Sequence, residues 1–383
     1  MDMMQDQDFF FNSNNAHRGP SDPNHADEFP WQGLREDDGE DQRIRPDVSV
    51  DQLIARLLHD AHTPPLESLY ALSDLSLRDA ESLRTQWELI AAERRRAVIE
   101  QLVEQAQVDF FLQLGRLLRL ALEDSDAGVR QTAIEGLWDD EAGDLIGSFV
   151  HILGNDPEVA VRAAAASALG AYVLAGELDE LDAALAMRVE EALLGVLNDE
   201  TEPLEVQCRA LESIAYSGEI GVRQLIEDAY YSPYEEMRIS SLYAMGRSAD
   251  VRWRGLVRAE LQNPSSSMRA GAAIACGELE VRAATDDLLS LLDDEEEAVR
   301  LAAIFALGRI GGRVAREALQ AVAASELEAE SVAAEDALEE MLFYDDADGI
   351  PLYDEPEDEE EDDDAEPWDA WYDRDDLDLG SYG

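Results

Sequence analysis

At 383 residues the chain has room for two ordinary domains or for one elongated array with tails. Its 87 acidic residues stand against 29 arginines and no lysine, a net charge of −58 that repels nucleic-acid phosphates and anionic membranes and attracts basic proteins or peptides. The absence of lysine also excludes a P-loop lysine, a Schiff-base lysine and a Ser-x-x-Lys nucleophile.

Residues 1–47 are rich in Asp, Asn, Gly and Pro without sustained periodicity, and they read as a disordered acidic N-terminal segment. Phe9, Phe10 and Phe11 form an aromatic cluster there, either a short docking motif or a chance run. No basic segment followed by an apolar run is seen at the N-terminus, so no signal peptide is expected. From Val48 helical spacing begins, with predicted helices near 48–59, 66–72, 76–90, 92–106 and 109–122, for example on the face of Leu83, Trp87 and Ile90. These segments match the downstream pattern poorly and read as an N-terminal helical cap over 48–123.

From Asp124 to about residue 343 the chain repeats itself. One column reads Asp124, Asp156, Thr201, Ser232, Asn263, Asp294 and Ser325, all side chains able to cap the first turn of a helix. Pro157, Pro233 and Pro264 follow three of them at once, as first helical residues would. Six residues after each cap stand Arg130, Arg162, Gln207, Arg238, Arg269, Arg300 and Ser331. At five, nine and thirteen residues come apolar, small and apolar side chains such as Val161, Ala165 and Leu169, one helical stripe whose small middle member admits a close neighbour. Gly170, Gly246, Gly277 and Gly308 follow the stripe and read as left-handed helix ends. A second helix then returns, as in 251–262, 283–292 and 314–323. Each unit is thus a hairpin that must stack on its neighbours to bury its face.

The spacing between caps is 31 or 32 residues except for 45 from Asp156 to Thr201. The extra length, about 14 residues around 171–200, predicts a longer connection and second helix with Met187, Val189, Leu193 and Leu194 inward. The last unit turns polar at Glu330, Ser331, Glu335 and Glu339, as the terminal face of a stack must. No stretch reads as long and apolar enough to span a bilayer, because the Ala-rich run near Val161–Gly176 contains Arg162. Residues 344–383 combine the acidic block 357–364 with Trp368, Trp371 and Tyr372 and read as an acidic disordered C-terminal tail.

The segments DPEVAVRAAAASALG and DEEEAVRLAAIFALGRIGG resemble HEAT repeats of the short, phycobilisome-lyase-like kind. The layout, with AIEGLW and AMGRSADVRW, is similar to bacterial HEAT-repeat domain-containing proteins. The resemblance implies an all-α fold, a right-handed α-α superhelix or solenoid of about seven hairpins over 124–343, with second helices lining a concave surface. A solenoid's usual work is binding, and the acidic surface and tail point to a non-enzymatic interaction scaffold that binds a basic protein or peptide. The alternative that the resemblance implies is a lyase-type accessory protein that positions a bilin-like tetrapyrrole or a modified protein substrate.

The regular Arg column reads as a structural device that bonds the adjacent unit. Arg223, Arg254 and Arg316 align on successive second helices, with Arg258 one turn beyond Arg254 and Trp253 beside it. With Arg247 and Arg252 they form a candidate cationic stripe for an acidic peptide or for the chain's own acidic tail, or they neutralise carboxylates on neighbouring helices. Partner binding is therefore placed on Arg223, Trp253, Arg254, Arg258, Arg316, Trp368, Trp371 and Tyr372. HEAT-repeat hydroxylases hold a di-iron centre with His-Glu pairs, and no His here is followed by Glu, so no cofactor or metal is expected. The acidic balance argues against nucleic acid and against membrane. Cys208 and Cys276 lie in different repeats and suggest no disulfide framework, which suits a cytoplasmic setting.

Overall fold

A computed structural model describes residues 48–348 apart from 61–62 and 141, with side chains to residue 342. The disorder expected of both tails, the Phe9–Phe11 cluster and the tail aromatics Trp368, Trp371 and Tyr372 lie outside these residues. Among the described residues eighteen α-helices and no strand are present. An N-terminal group comprises α1 (Val50–His59), α2 (Leu66–Leu69), α3 (Leu77–Gln86), α4 (Ala92–Ala106) and α5 (Gly115–Ala121). The repeats follow as α6 (Ala127–Glu135), α7 (Asp144–Asn155), α8 (Val159–Glu177), α9 (Ala183–Leu197), α10 (Leu204–Ile214) and α11 (Ile220–Tyr230). They continue as α12 (Glu235–Arg247), α13 (Arg254–Glu260), α14 (Ser266–Glu278), α15 (Thr285–Leu291), α16 (Glu297–Ile310), α17 (Gly312–Ala323) and α18 (Glu328–Asp348).

Even-numbered helices from α6 to α18 pack on one another in succession, and each odd-numbered helix from α7 to α17 packs against the even-numbered helix that follows it. The stripe columns explain this. Val161, Ala165 and Leu169, like Val299, Ala303 and Leu307, are fully buried between layers. The hairpins form an α-solenoid, as the hydrophobic period requires. The stacking also continues N-terminal to Asp124, because α4 packs on α6 as a first helix would.

Four sequence expectations change. The polar column does not cap the helices; these begin three residues later. Asp124, Asp156, Asn263 and Asp294 instead accept from the amide two residues on, at 2.7, 3.0, 2.9 and 3.0 Å, as side-chain turns that lead into the helix. The following prolines accordingly hold a turn position, where their fixed φ serves equally well. In the third unit Asp199, not Thr201, makes this turn.

Gly170, Gly246, Gly277 and Gly308 do not end helices in a left-handed conformation. They lie inside α8, α12, α14 and α16, where the next helix runs too close for a side chain: a Cβ on Gly277 would stand 2.8 Å from Ala306 Cα, and one on Gly308 2.8 Å from Ala337 Cβ. The left-handed residue comes three positions later, at Ala249, Glu280 and Gly311.

Met187 is 59% exposed, whereas Val189 and Leu193 are buried as expected. One described helix, α8, is long and apolar enough to cross a membrane by length and composition. Arg162 does not exclude it, since a long arginine side chain near one end of a helix can reach the membrane interface. Its apolar face is spent on α6, α7, α9 and α10.

Gly277→Ala should destabilise the array by about 1–3 kcal/mol, because the clash is with backbone rather than a movable side chain. Gly195→Ala, in α9 with nothing near its Cβ position, should instead stabilise by about 0.5–1 kcal/mol. Urea unfolding of both variants checks the pair, and equal effects would remove close helix approach as the reason for glycine at 277.

Candidate functional site

Between successive first helices runs a ladder of arginines. Arg130 donates through Nε and Nη2 to both carboxylate oxygens of Asp156 at 2.8 Å, and through Nη1 to its own turn carbonyl at Asp124, also at 2.8 Å. Arg269 repeats this with Asp294 at 2.8 Å for both bonds and with the Asn263 carbonyl at 3.0 Å. Arg162 reaches Glu202 and the Asp156 carbonyl, each at 2.7 Å; Arg300 reaches Glu330 at 2.7 Å and the Asp294 carbonyl at 2.8 Å.

The ladder begins one rung earlier than the sequence columns indicate. Arg95 on α4 is buried and donates to Asp124 at 2.8 and 2.7 Å, while Trp87 donates its indole N–H to the same carboxylate at 2.6 Å. The hydrogen bonds from Arg269 hold Asp294 below the usual carboxylate range. Burial alone would raise Asp156, but the bonds from Arg130 and the Glu158 amide more than reverse it.

The ladder is interrupted in the middle. Gln207 stands in the Arg column and turns to the Asp199 carbonyl at 2.8 Å. The next two turn residues, Ser232 and Asn263, carry no carboxylate. Arg238 therefore keeps only its local partners, the Ser232 carbonyl at 3.0 Å and Glu235 at 3.8 Å.

A second column, at the C-terminal ends of the first helices, escaped the sequence reading. At 31-residue intervals it reads Tyr216, Arg247, Glu278, Arg309 and Glu340. Arg247 lies over the Tyr216 ring, 5.6 Å from its centroid, and donates to the Glu212 carbonyl at 3.0 Å; Arg309 donates to Glu340 at 2.9 Å. Glu278 sits between the two arginines with Oε2 buried and without a hydrogen-bond partner, against Gly246. Burial pushes its carboxyl up to about 7 in spite of Arg247 and Arg309. Alternating charge at the repeat period was the available signal.

Arg223, Arg254 and Arg258 of the second helices are engaged with the following hairpin. Arg223 donates to Asp250 at 3.0 Å, and Arg252 takes the same carboxylate at 3.0 and 2.7 Å. The Arg252 bonds first, with help from Arg223, hold Asp250 down to about 2. Arg258 donates to Asp287 at 2.8 Å and Arg254 to the Leu279 carbonyl at 3.2 Å. Arg316 is half-buried on α17. Trp253 is buried, and its indole N–H has no partner. The structure thus brings Arg223 and Arg252 together on one carboxylate and leaves Arg254 and Arg258 with separate partners.

Both thiols are buried, and burial raises Cys276 to about 12 and Cys208 to about 11. Among the described residues no three His, Cys, Asp or Glu side chains gather into a group that could hold a metal ion.

Residues 256–339 match the family of HEAT repeats. This stretch of the solenoid is made of HEAT repeats. No curated protein matches the chain. Solved structures similar to it include human deoxyhypusine hydroxylase with glycerol, 18% identical over 77% of this chain and 96% of that one, with a TM-score of 0.32. The CpcE–CpcF complex of phycocyanin lyase from Nostoc is 18% identical over 84% and 92%, with a TM-score of 0.35. Importin beta is 14% identical over 76% and 46%, with a TM-score of 0.38.

Within the HEAT array Glu278 gives a pH signature. A carboxyl with a raised folded pKa binds more protons folded than unfolded between about 4.5 and about 7, so its contribution to stability is lost as pH rises through that window. Glu278→Gln should therefore gain roughly 2 kcal/mol on the parent between pH 5 and pH 8. Unfolding midpoints at the two pH values check this, and a constant difference between the proteins would contradict it.

Proposed function

We propose that the chain is a non-catalytic scaffold whose acidic HEAT solenoid binds a basic protein or peptide. The observation that carries this reading is how the arginines are used. Arg130, Arg162, Arg269 and Arg300 of the first-helix ladder and Arg223 and Arg258 of the second helices reach across to acids of the next hairpin. Residues 48–343 nevertheless carry 56 acids against 24 arginines, so a large carboxylate excess remains. Exposed members occur on both helices of the hairpins, as Glu227, Asp228, Asp286 and Glu317 on second helices and Glu235, Glu236 and Glu297 on first helices. Such a field attracts cations at a distance and steers a basic partner to the surface.

The acidic segment 344–383, with Trp368, Trp371 and Tyr372, would add charge and aromatic anchors to the same partner. An acidic peptide or the chain's own tail at Arg223 and Arg258 would have to displace Asp250 and Asp287, which makes that alternative the costlier one.

Fluorescence anisotropy with short labelled peptides tests the proposal. A peptide rich in Arg and Lys should bind the full chain, and its affinity should fall as salt rises from about 50 to about 200 mM. A matched Asp/Glu peptide should not bind. Equal behaviour of the two peptides, or binding by the acidic one alone, would refute an acidic docking surface.

A further inference from the structure

The gap in the arginine ladder coincides with a hole. Beside Gln207 and Ser232 lies a surface pocket of about 330 Å³, walled on its apolar side by Leu197, Leu211, Leu225 and Met237. In complete rungs the corresponding arginine runs from its first helix to the turn that precedes the next one, as Arg130 does to Asp156. Gln207 is shorter and turns back to Asp199, so the guanidinium is missing here.

Two further departures fall on the same rung, and both line the pocket. Four residues before the turn residue, the other units carry Leu120, Ile152, Leu197, Ala259, Ser290 and Ala321; here the residue is Asp228. One residue before it, the others carry Glu123, Asn155, Glu200, Gln262, Asp293 and Ala324; here it is Tyr231, 72% exposed. A carboxylate, one of whose oxygens accepts Gln224 Nε2 at 2.9 Å, and an exposed aromatic ring set edge-on to Tyr230 have therefore entered where the internal cation has left. Arg238 stands nearby, but its Nη1 is engaged by the Ser232 carbonyl. In the complete rung at Asp156 an arginine holds the same place, with Arg162 on the Asp156 carbonyl while Asp156 accepts Arg130.

We infer that this pocket is a receptor for an arginine side chain of a basic partner, which completes the missing rung from outside. The guanidinium suits the site better than an ammonium. It is planar, stacks on an aromatic face such as Tyr231, and donates two bonds at once to a carboxylate such as Asp228, where it would take the place of the neutral Gln224 amide on one oxygen. The apolar wall accommodates its methylene stem. This inference rests on the reading that the partner is basic, and it adds where one arginine is held and why arginine is chosen over lysine.

The test compares two labelled peptides of equal length and charge, one with Arg and one with Lys at every basic position, on the full chain. The parent should bind the Arg peptide about tenfold more tightly. Gln207→Arg combined with Ser232→Asp rebuilds the internal rung and should abolish that preference while leaving Lys-peptide binding unchanged. Asp228→Asn, at an exposed position, should cut the preference by a factor of about three or more and serves if the double variant does not fold. A preference that survives both changes, or a parent that binds the two peptides equally, overturns the pocket and leaves the basic-partner reading standing. Failure of both peptides to bind the parent overturns the basic-partner reading and the pocket with it.

Discussion

At three junctions of this array, Arg95 to Asp124, Arg130 to Asp156 and Arg269 to Asp294, a hairpin sends a guanidinium forward to the carboxylate that organises the start of the next. Asp156 shows the double duty: one of its oxygens holds the turn before α8, both accept Arg130, and its main-chain carbonyl accepts Arg162. At these junctions a hairpin cannot shift along its neighbour without breaking a bidentate bond, and the pairs are mostly shielded from water, where such bonds are strongest. Beside the ladder, glycines and alanines bring the first helices close enough for backbone to touch backbone. The two devices are complementary: small residues permit close contact, and the arginines select its register.

Because the ladder's arginine–carboxylate pairs across hairpins join adjacent units only, the stability of the array is close to a sum over neighbouring interfaces. The rungs at Gln207 and Arg238 lack a carboxylate partner on the following turn. Something else must hold the middle of the stack, and the structure shows what. Ser240 donates to the buried carboxylate of Glu212 at 2.6 Å, Arg209 donates to the same group at 2.8 Å, and Arg247 bonds the Glu212 carbonyl. The register contacts move from the turn end of the first helices to their middle and C-terminal end, which frees the turn end for a different use.

Much of the fold was legible in the residues. The hydrophobic stripe, the hairpins and the Arg column follow from period and side-chain size, and α1, α4 and the second helices fall near their predicted places. The turn column reads as helix caps because an Asp ahead of a helix fits both a cap and a side-chain turn, in each of which its oxygen accepts a backbone N–H; only the position of the first helical residue, three further on, separates them. The glycines were read as helix ends because a glycine late in a helix is compatible with either a left-handed residue or a close crossing. The left-handed positions were hidden because Ala249 and Glu280 occupy two of them without glycine. The second-helix arginines looked like a stripe, since aligned Arg223 and Arg254 are visible in the sequence whereas the approach of Asp250 and Asp287 is a matter of packing. Gln207, Asp228 and Tyr231 were all departures from their columns, but their meaning as one site depends on knowing where the missing guanidinium would lie.

The claim that carries the rest is that the arginine ladder couples adjacent hairpins. A double-mutant cycle on Arg269 and Asp294 measures this directly, with Arg269→Ala, Asp294→Ala and the pair compared by urea unfolding at neutral pH. The account predicts that the two losses are strongly non-additive, with a coupling energy of about 1.5–3 kcal/mol. Additivity within about 0.5 kcal/mol would mean that the pair contributes nothing to holding the hairpins together and would contradict the account.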